Sequence, residues 1–162
     1  MQIQDDLTKN GIIFDAKPDA VPYNYRITYK VSIICLMIYK CCGRKGCSLV
    51  KMHIIASALY DNRFYEILMR FLNTDSWRSF IVRFDPALNR ALEYALADKI
   101  IIQQVNGAYK LTQEGRALAS EISSNEDLLL GEKRVLENIS VKLSEDRINE
   151  LLEGWKYRNA QN

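Results

Sequence analysis

Histidine is nearly absent from this 162-residue chain, with His53 the only one. A histidine-based catalytic triad therefore has a single candidate and no evident neighbour, and a surface or core imidazole accounts for the residue more simply. Cysteine is scarce and clustered: Cys35, Cys41, Cys42 and Cys47 all fall within one short stretch. A disulfide framework for a whole domain needs wider spacing, so reduced thiols are expected. Cys41, Cys42, Cys47 and His53 make the one metal-like cluster. Adjacent cysteines at a helix end do not easily aim both sulfurs at one tetrahedral ion, so neither a metal nor any other cofactor is expected.

Long apolar runs are missing too. The longest, Val31 to Tyr39, is interrupted by Ser32 and too short to span a bilayer. The opening Met1-Gln2-Ile3-Gln4-Asp5-Asp6 lacks the basic-then-apolar pattern of a secretory leader, which makes the cytoplasm the expected location. No repeat is evident. Paired carboxylates occur as Asp5-Asp6, Glu126-Asp127 and Glu145-Asp146, all in tails or at helix starts, where solvation and capping account for them. No enzyme constellation emerges, and the chain is expected to be non-catalytic.

What is present is ordinary globular composition, 48% apolar and 26% charged, with a net charge of +2 spread unevenly. From Arg26 to Tyr60 there are six basic residues and no acid, whereas from Gln113 to Gly154 ten acids face five bases. Such polarity points to an oriented partner or a side that faces nucleic acid.

Residues 85–122 give the clearest local pattern. Asp85 can cap and Pro86 suits the first helical position, with Leu88, Ala91, Leu92, Ala95 and Leu96 on one face. Lys99 closes that helix, and Ile100 to Val105 is a β-branched run that fits a strand. Asn106-Gly107 is a strong hairpin signal because both residues accept positive φ. Tyr109 and Leu111 alternate on the return strand, and Thr112 caps a further helix. Helix, strand, turn, strand, helix is the second half of a winged helix.

Upstream, residues 1–25 read as an arm. Pro18 and Pro22 oppose a continuous helix there, leaving either a leader without fixed structure or a strand that docks on a partner. Ile27, Val31, Ile34, Ile38 and Cys42 mark a central helix ending at Gly43, followed by a basic loop. Ser48 caps a second helix with Leu49, Met52, Ala56 and Leu59 inward, and a third starts near Asp61 with Phe64, Ile67, Leu68, Phe71 and Leu72 on one face. Phe80, Val82 and Phe84 alternate as a short strand beside the hairpin. Past a polar linker at 123–127, Leu128, Val135, Leu136, Ile139 and Leu143 mark one amphipathic helix. Ser144 caps another, with Ile148, Leu151, Leu152 and Trp155 on one face and Gly154 loosening its end. These last helices could cover the chain's own core or another chain. The expected class is α+β, mostly helical: an arm at 1–25, a winged helix-turn-helix domain at 26–122 and a helical extension at 123–162.

Two surfaces stand out as contact candidates. Gly43-Arg44-Lys45-Gly46-Cys47-Ser48 precedes a helix N-terminus, where N–H groups and cations could hold an anion, although the phosphate-loop spacing is lacking. With Lys40 and Lys51 flanking it, Lys40, Arg44, Lys45 and Lys51 are the candidate contacts for nucleic-acid phosphate or an acidic partner. A solvated basic turn fits as well. The helix before the hairpin is where a DNA-reading winged helix enters the groove. Residues 85–99 nevertheless carry only Arg90 and Lys99 against Asp85, Glu93 and Asp98. A helix so weakly charged suits protein contact, so Asn89, Arg90, Glu93 and Tyr94, together with Ile148, Leu151, Leu152 and Trp155, are the candidate docking residues.

Three stretches carry a resemblance: Tyr29 to Ile34 running through Cys42-Gly43-Arg44-Lys45-Gly46-Cys47-Ser48 to His53; Phe84-Asp85-Pro86-Ala87-Leu88-Asn89-Arg90-Ala91-Leu92; and Asn106-Gly107-Ala108-Tyr109-Lys110-Leu111-Thr112-Gln113-Glu114-Gly115. Over roughly residues 26–122 the chain resembles the winged-helix middle components of bacterial three-component ABC-ATPase systems, including the small accessory subunit of Lamassu-type anti-phage defence. The resemblance implies a non-catalytic subunit that joins an SMC- or Rad50-like ATPase to an effector such as a nuclease; the basic segment at 40–51 adds an auxiliary contact to double-stranded DNA backbone or an acidic protein patch. The resemblance supplies no catalytic residues. The alternative is a DNA-binding winged-helix transcriptional regulator, dimeric through its C-terminal helices.

Overall fold

The computed structural model describes residues 22–75 and 82–159, with side chains described as far as Gly154. A 3-10 turn at Tyr23–Tyr25 leads into α1 (Ile27–Cys41), then α2 (Leu49–Tyr60), α3 (Asn62–Thr74), α4 (Pro86–Ala97), β1 (Ile101–Gln103), β2 (Tyr109–Leu111), α5 (Gln113–Ser124), α6 (Leu130–Ile139), a 3-10 turn at Ser140–Lys142, and α7 (Glu145–Asn159). The protein is thus mostly helical with one small antiparallel sheet, the expected α+β class.

Helix boundaries follow side-chain caps. Ser48 Oγ accepts from Lys51 N–H, and Asp61 Oδ1 accepts from the N–H groups of Arg63 and Phe64. Asp85 Oδ1 accepts from Ala87 N–H, with Pro86 at the first helical position. Thr112 and Ser144 cap α5 and α7 through Gly115 N–H and Arg147 N–H. Each satisfies a donor that the helix itself cannot, worth about 1 kcal/mol apiece.

Helix α1 runs through the centre. Ile33, Ile34, Leu36 and Met37 are fully buried, and α4, α5 and α6 pack around them. Helix α2 is more enclosed than its pattern predicts: Lys51, His53, Ile54 and Ile55 are buried together with Met52 and Ala56. Enclosure from several sides comes from α3, α6 and α7.

In the hairpin, Ile101 pairs with Leu111 and Gln103 with Tyr109. Gly107 alone takes positive φ, with its N–H donating to Gln104 O at 2.9 Å. The turn is therefore an ordinary turn closed by a left-handed glycine, and Asn106 contributes by accepting from Ala108 N–H at 3.1 Å. Cys47 exchanges two backbone hydrogen bonds with Tyr109, of 2.9 and 2.8 Å, so the segment after α1 lies along the hairpin.

Several expectations change. Val82 to Phe84 form no strand, and Phe80 and Ile81 lie outside the described residues. Leu128 precedes α6 and is 48% exposed, because Leu129 adopts a left-handed conformation and the helix begins only after it. Helix α7 continues past Gly154 to Asn159. Residues 1–21 of the expected arm lie outside the described residues; its last part is the Tyr23–Tyr25 turn, which sets Tyr23 edge-on against Tyr29 at 5.1 Å.

The C-terminal helices cover the chain's own core. Ile139, Leu143, Ile148 and Leu151 are buried in the same cluster as α1 and α2. Arg147 clamps α7 to the end of α3: it pairs with Asp75, donates to Phe71 O at 2.9 Å, and lies 4.3 Å over the Phe71 ring.

Candidate interaction surface

Helix α4, the hairpin and the basic loop share one region, because the loop is stitched to the hairpin. Gln104 Nε2 donates to Lys45 O at 2.9 Å, next to the Cys47–Tyr109 bridge. Gly46 makes this approach possible: its φ is +90°, and a Cβ there would stand 2.7 Å from both Tyr109 O and Gln104 Nε2. The sequence offers the loop and the hairpin as separate features; the fold joins them.

The four candidate cations are not equivalent. Arg44 and Lys45 are exposed at the tip of the loop. Lys40 is half-buried and donates to Glu137 Oε1 at 3.0 Å. Lys51 is the correction: only 3% exposed, it sends Nζ to Cys41 O at 2.7 Å and cannot meet a phosphate. The carbonyls left over at the C-terminal end of α1 favour a cation there, which draws the ammonium inward.

On α4, Arg90 and Glu93 are exposed and Tyr94 is 50% exposed. Asn89 is exposed as a residue, but its Oδ1 is held at 2.9 Å from His53 Nε2. Ile148 and Leu151 are corrected as docking residues, being buried against the core, and Leu152 packs beside them. The side chain of Trp155 lies outside the described residues. Beside the α4 face, Ile102 is 51% exposed and Val105, near the hairpin tip, is fully exposed.

Behind α4 lies a polar group that sequence reasoning missed. Lys30 is buried, pairs with Asp85 Oδ2, and sits 4.2 Å over the Tyr60 ring. Asp85 N–H donates to His53 Nδ1 at 3.1 Å, which leaves the His53 proton on Nε2 facing Asn89 Oδ1. Burial holds the His53 imidazolium below its ordinary range, outweighing the Asn89 hydrogen bond and the Asp85 charge that favour it. For Asp85, burial opposes ionisation but is outweighed by Lys30 and by the Ala87 and Leu88 N–H groups, so its carboxyl lies below the usual carboxylate range. Tyr29 extends the group, donating to Glu132 Oε1 at 3.0 Å. The start of α4 is thus fastened to α1 and α2 through hydrogen bonds and one ion pair. A one-dimensional signal existed only for Asp85 as a cap.

A cleft of about 470 Å³ opens over this group, lined by Tyr25, Lys30, Tyr60, Asp61, Arg83 and Asp85 among others. Lys30 is committed to Asp85 at its floor, so the cleft carries no free buried charge of its own. Among the described residues no group of three or more His, Cys, Asp or Glu side chains is placed to hold a metal, and no helix is long and apolar enough to cross a membrane. No known family, curated protein or solved structure matches the chain, so its role is inferred from this arrangement of residues.

Proposed function

We propose that the chain is a non-catalytic winged-helix adaptor whose α4 and hairpin surface docks on a protein, with the Arg44–Lys45 loop as an auxiliary contact to DNA backbone or an acidic patch. The order of elements supports a winged helix: α1, the Cys47 segment paired to β2, further helices, α4, then the β1–β2 hairpin and α5. Relative to a minimal winged helix the chain holds an extra helix before α4.

The observation that carries the adaptor reading is the outward face of α4. Exposed Arg90 and Lys99 are offset by exposed Glu93 and Asp98, and the region also exposes the large apolar side chains Phe84, Tyr94, Ile102 and Val105. A surface that neutralises several phosphates needs clustered cations, whereas partly apolar, aromatic-bearing surfaces favour protein contact. The resemblance noted above names the partners proposed: an SMC- or Rad50-like ATPase and an effector nuclease, in an anti-phage or anti-plasmid complex. A DNA-binding regulator is the second reading, favoured only by the cations of the loop beside the hairpin.

Filter binding of the purified chain to duplex DNA at two salt concentrations separates the two. The adaptor reading expects weak binding that Arg44→Ala and Lys45→Ala reduce and Arg90→Ala leaves unchanged. Tight, steeply salt-dependent binding lost in Arg90→Ala would establish a DNA reader instead.

A further inference from the structure

The cleft beside the start of α4 has room for a small molecule. Its volume of about 470 Å³ falls within the roughly 300–1,000 Å³ of sites that enclose such ligands. Ala56, Tyr60 and Phe64 supply an apolar part of its wall, and Tyr25 adds a second phenol ring. Tyr60 stays 39% exposed although Lys30 lies 4.2 Å over its ring, and Tyr25 is 62% exposed. Both rings therefore offer surface to a ligand.

Four charged residues line the cleft, and three of them are engaged. Lys30 pairs with Asp85, and Asp61 Oδ1 accepts from the N–H groups of Arg63 and Phe64 as the cap of α3. Arg83 differs: it is exposed, and among the described residues it makes no hydrogen bond or ion pair. Asn24, half-buried in the same wall, likewise has a side-chain amide with no partner among the described residues. The unanswered groups are thus one guanidinium and one amide beside exposed rings. A guanidinium presents a planar fork that a carboxylate matches with two parallel hydrogen bonds, and the rings suit a flat aromatic body. A phosphate dianion fits less well, because its second charge would meet Asp61 and Asp85 with no second unpaired cation on the described wall.

We propose that this cleft binds a small aromatic carboxylate, with the carboxylate on Arg83 and the ring against Tyr25 and Tyr60. The Asn24 amide hydrogen-bonds a polar edge of the ligand. At the floor, the Asp85 side chain is 26% exposed while that of Lys30 is 4% exposed. A ligand there removes water from the pair, which strengthens its attraction and holds the capped start of α4 more firmly. The proposal does not depend on what meets the outer face of α4, so it stands or falls apart from the adaptor reading.

The test is calorimetric titration of the full chain with indole-3-acetate, with the uncharged indole-3-ethanol and with indoxyl phosphate. Indole-3-acetate should bind saturably at one site, and the alcohol, which lacks the charge, about tenfold more weakly. The phosphate should also bind more weakly than the acetate. Arg83→Gln, a change at an exposed side chain, should remove the preference for acetate over alcohol, and Tyr25→Ala should weaken both several-fold. Amide resonances that move on saturation of the wild-type chain with indole-3-acetate should cluster at Tyr25, Ser57 and Asn62, all on the cleft wall. Failure of indole-3-acetate to saturate, equal affinity for acid and alcohol, tighter binding of the phosphate, unchanged binding by Arg83→Gln, or resonance shifts centred elsewhere would overturn the proposal.

Discussion

Replacing Asp85 by Ala removes a helix cap and an ion-pair partner at once. Losing the cap to Ala87 N–H costs about 1 kcal/mol. Losing the carboxylate leaves Lys30, whose side chain is only 4% exposed, with the Tyr60 ring as its remaining charge partner. Orphaning a buried charge costs about 3–5 kcal/mol. Because the Asp85 side chain is itself 26% exposed and its bond to Lys30 is partly solvated, the lower end applies, giving about 4 kcal/mol in all. The reverse substitution is milder. Lys30→Met keeps an apolar stem in the core, and Asp85 retains Ala87 N–H and access to water, so roughly 1–2 kcal/mol is expected. Lys30→Met combined with Asp85→Asn, which keeps a capping oxygen, should cost no more than Lys30→Met alone. Urea unfolding at neutral pH, compared at constant slope, measures all three. Equal losses for the two single variants, or a loss below about 1 kcal/mol for Asp85→Ala, would show that Lys30 is not a buried charge dependent on Asp85.

Other parts of the account are open to similar checks. Gly46→Ala should lose about 2–3 kcal/mol in thermal melts, since it combines a strained φ of +90° with contacts of 2.7 Å to Tyr109 O and Gln104 Nε2; an unchanged melting temperature would refute the stitched loop. His53 has a folded-state pKa below its unfolded value, so the folded state binds fewer protons and stability should fall as pH drops through and below about 6.5. Melts between pH 7.5 and 5.5 should show that slope, and His53→Gln should flatten it. Ile148→Ala should cost about 2–4 kcal/mol if α7 belongs to the core, whereas a loss near zero would return this helix to the role of a free docking element.

Much of the architecture was legible because its determinants are local. Ser48, Asp61, Asp85-Pro86, Thr112 and Ser144 announce helix starts, and Asn106-Gly107 announces the hairpin, each through chemistry that involves residues only a few positions away. What stayed hidden depends on distant neighbours. The basic run suggested a charged surface, yet Lys51 turns inward to Cys41 O and Lys30 to Asp85, because sign and spacing do not reveal which side of a helix is enclosed. The same blindness made Ile148 and Leu151 look available to a partner, when the sheltering surface is the chain's own α2. Phe84, expected in a strand, lies in an unpaired segment and leans tilted against the His53 ring, with centroids 4.5 Å apart. The loop-to-hairpin seam rests on backbone pairing between Cys47 and Tyr109, which no side-chain pattern encodes.

The claim that the α4 face meets a protein is tested most directly by placing a photo-crosslinking amino acid at Tyr94 in cells and identifying what it captures. The account predicts a single adduct with a coiled-coil ATPase subunit, formed from Tyr94 and absent from a control position on the exposed side of α5 such as Arg116. Capture of DNA at Tyr94, with no protein adduct, would contradict it.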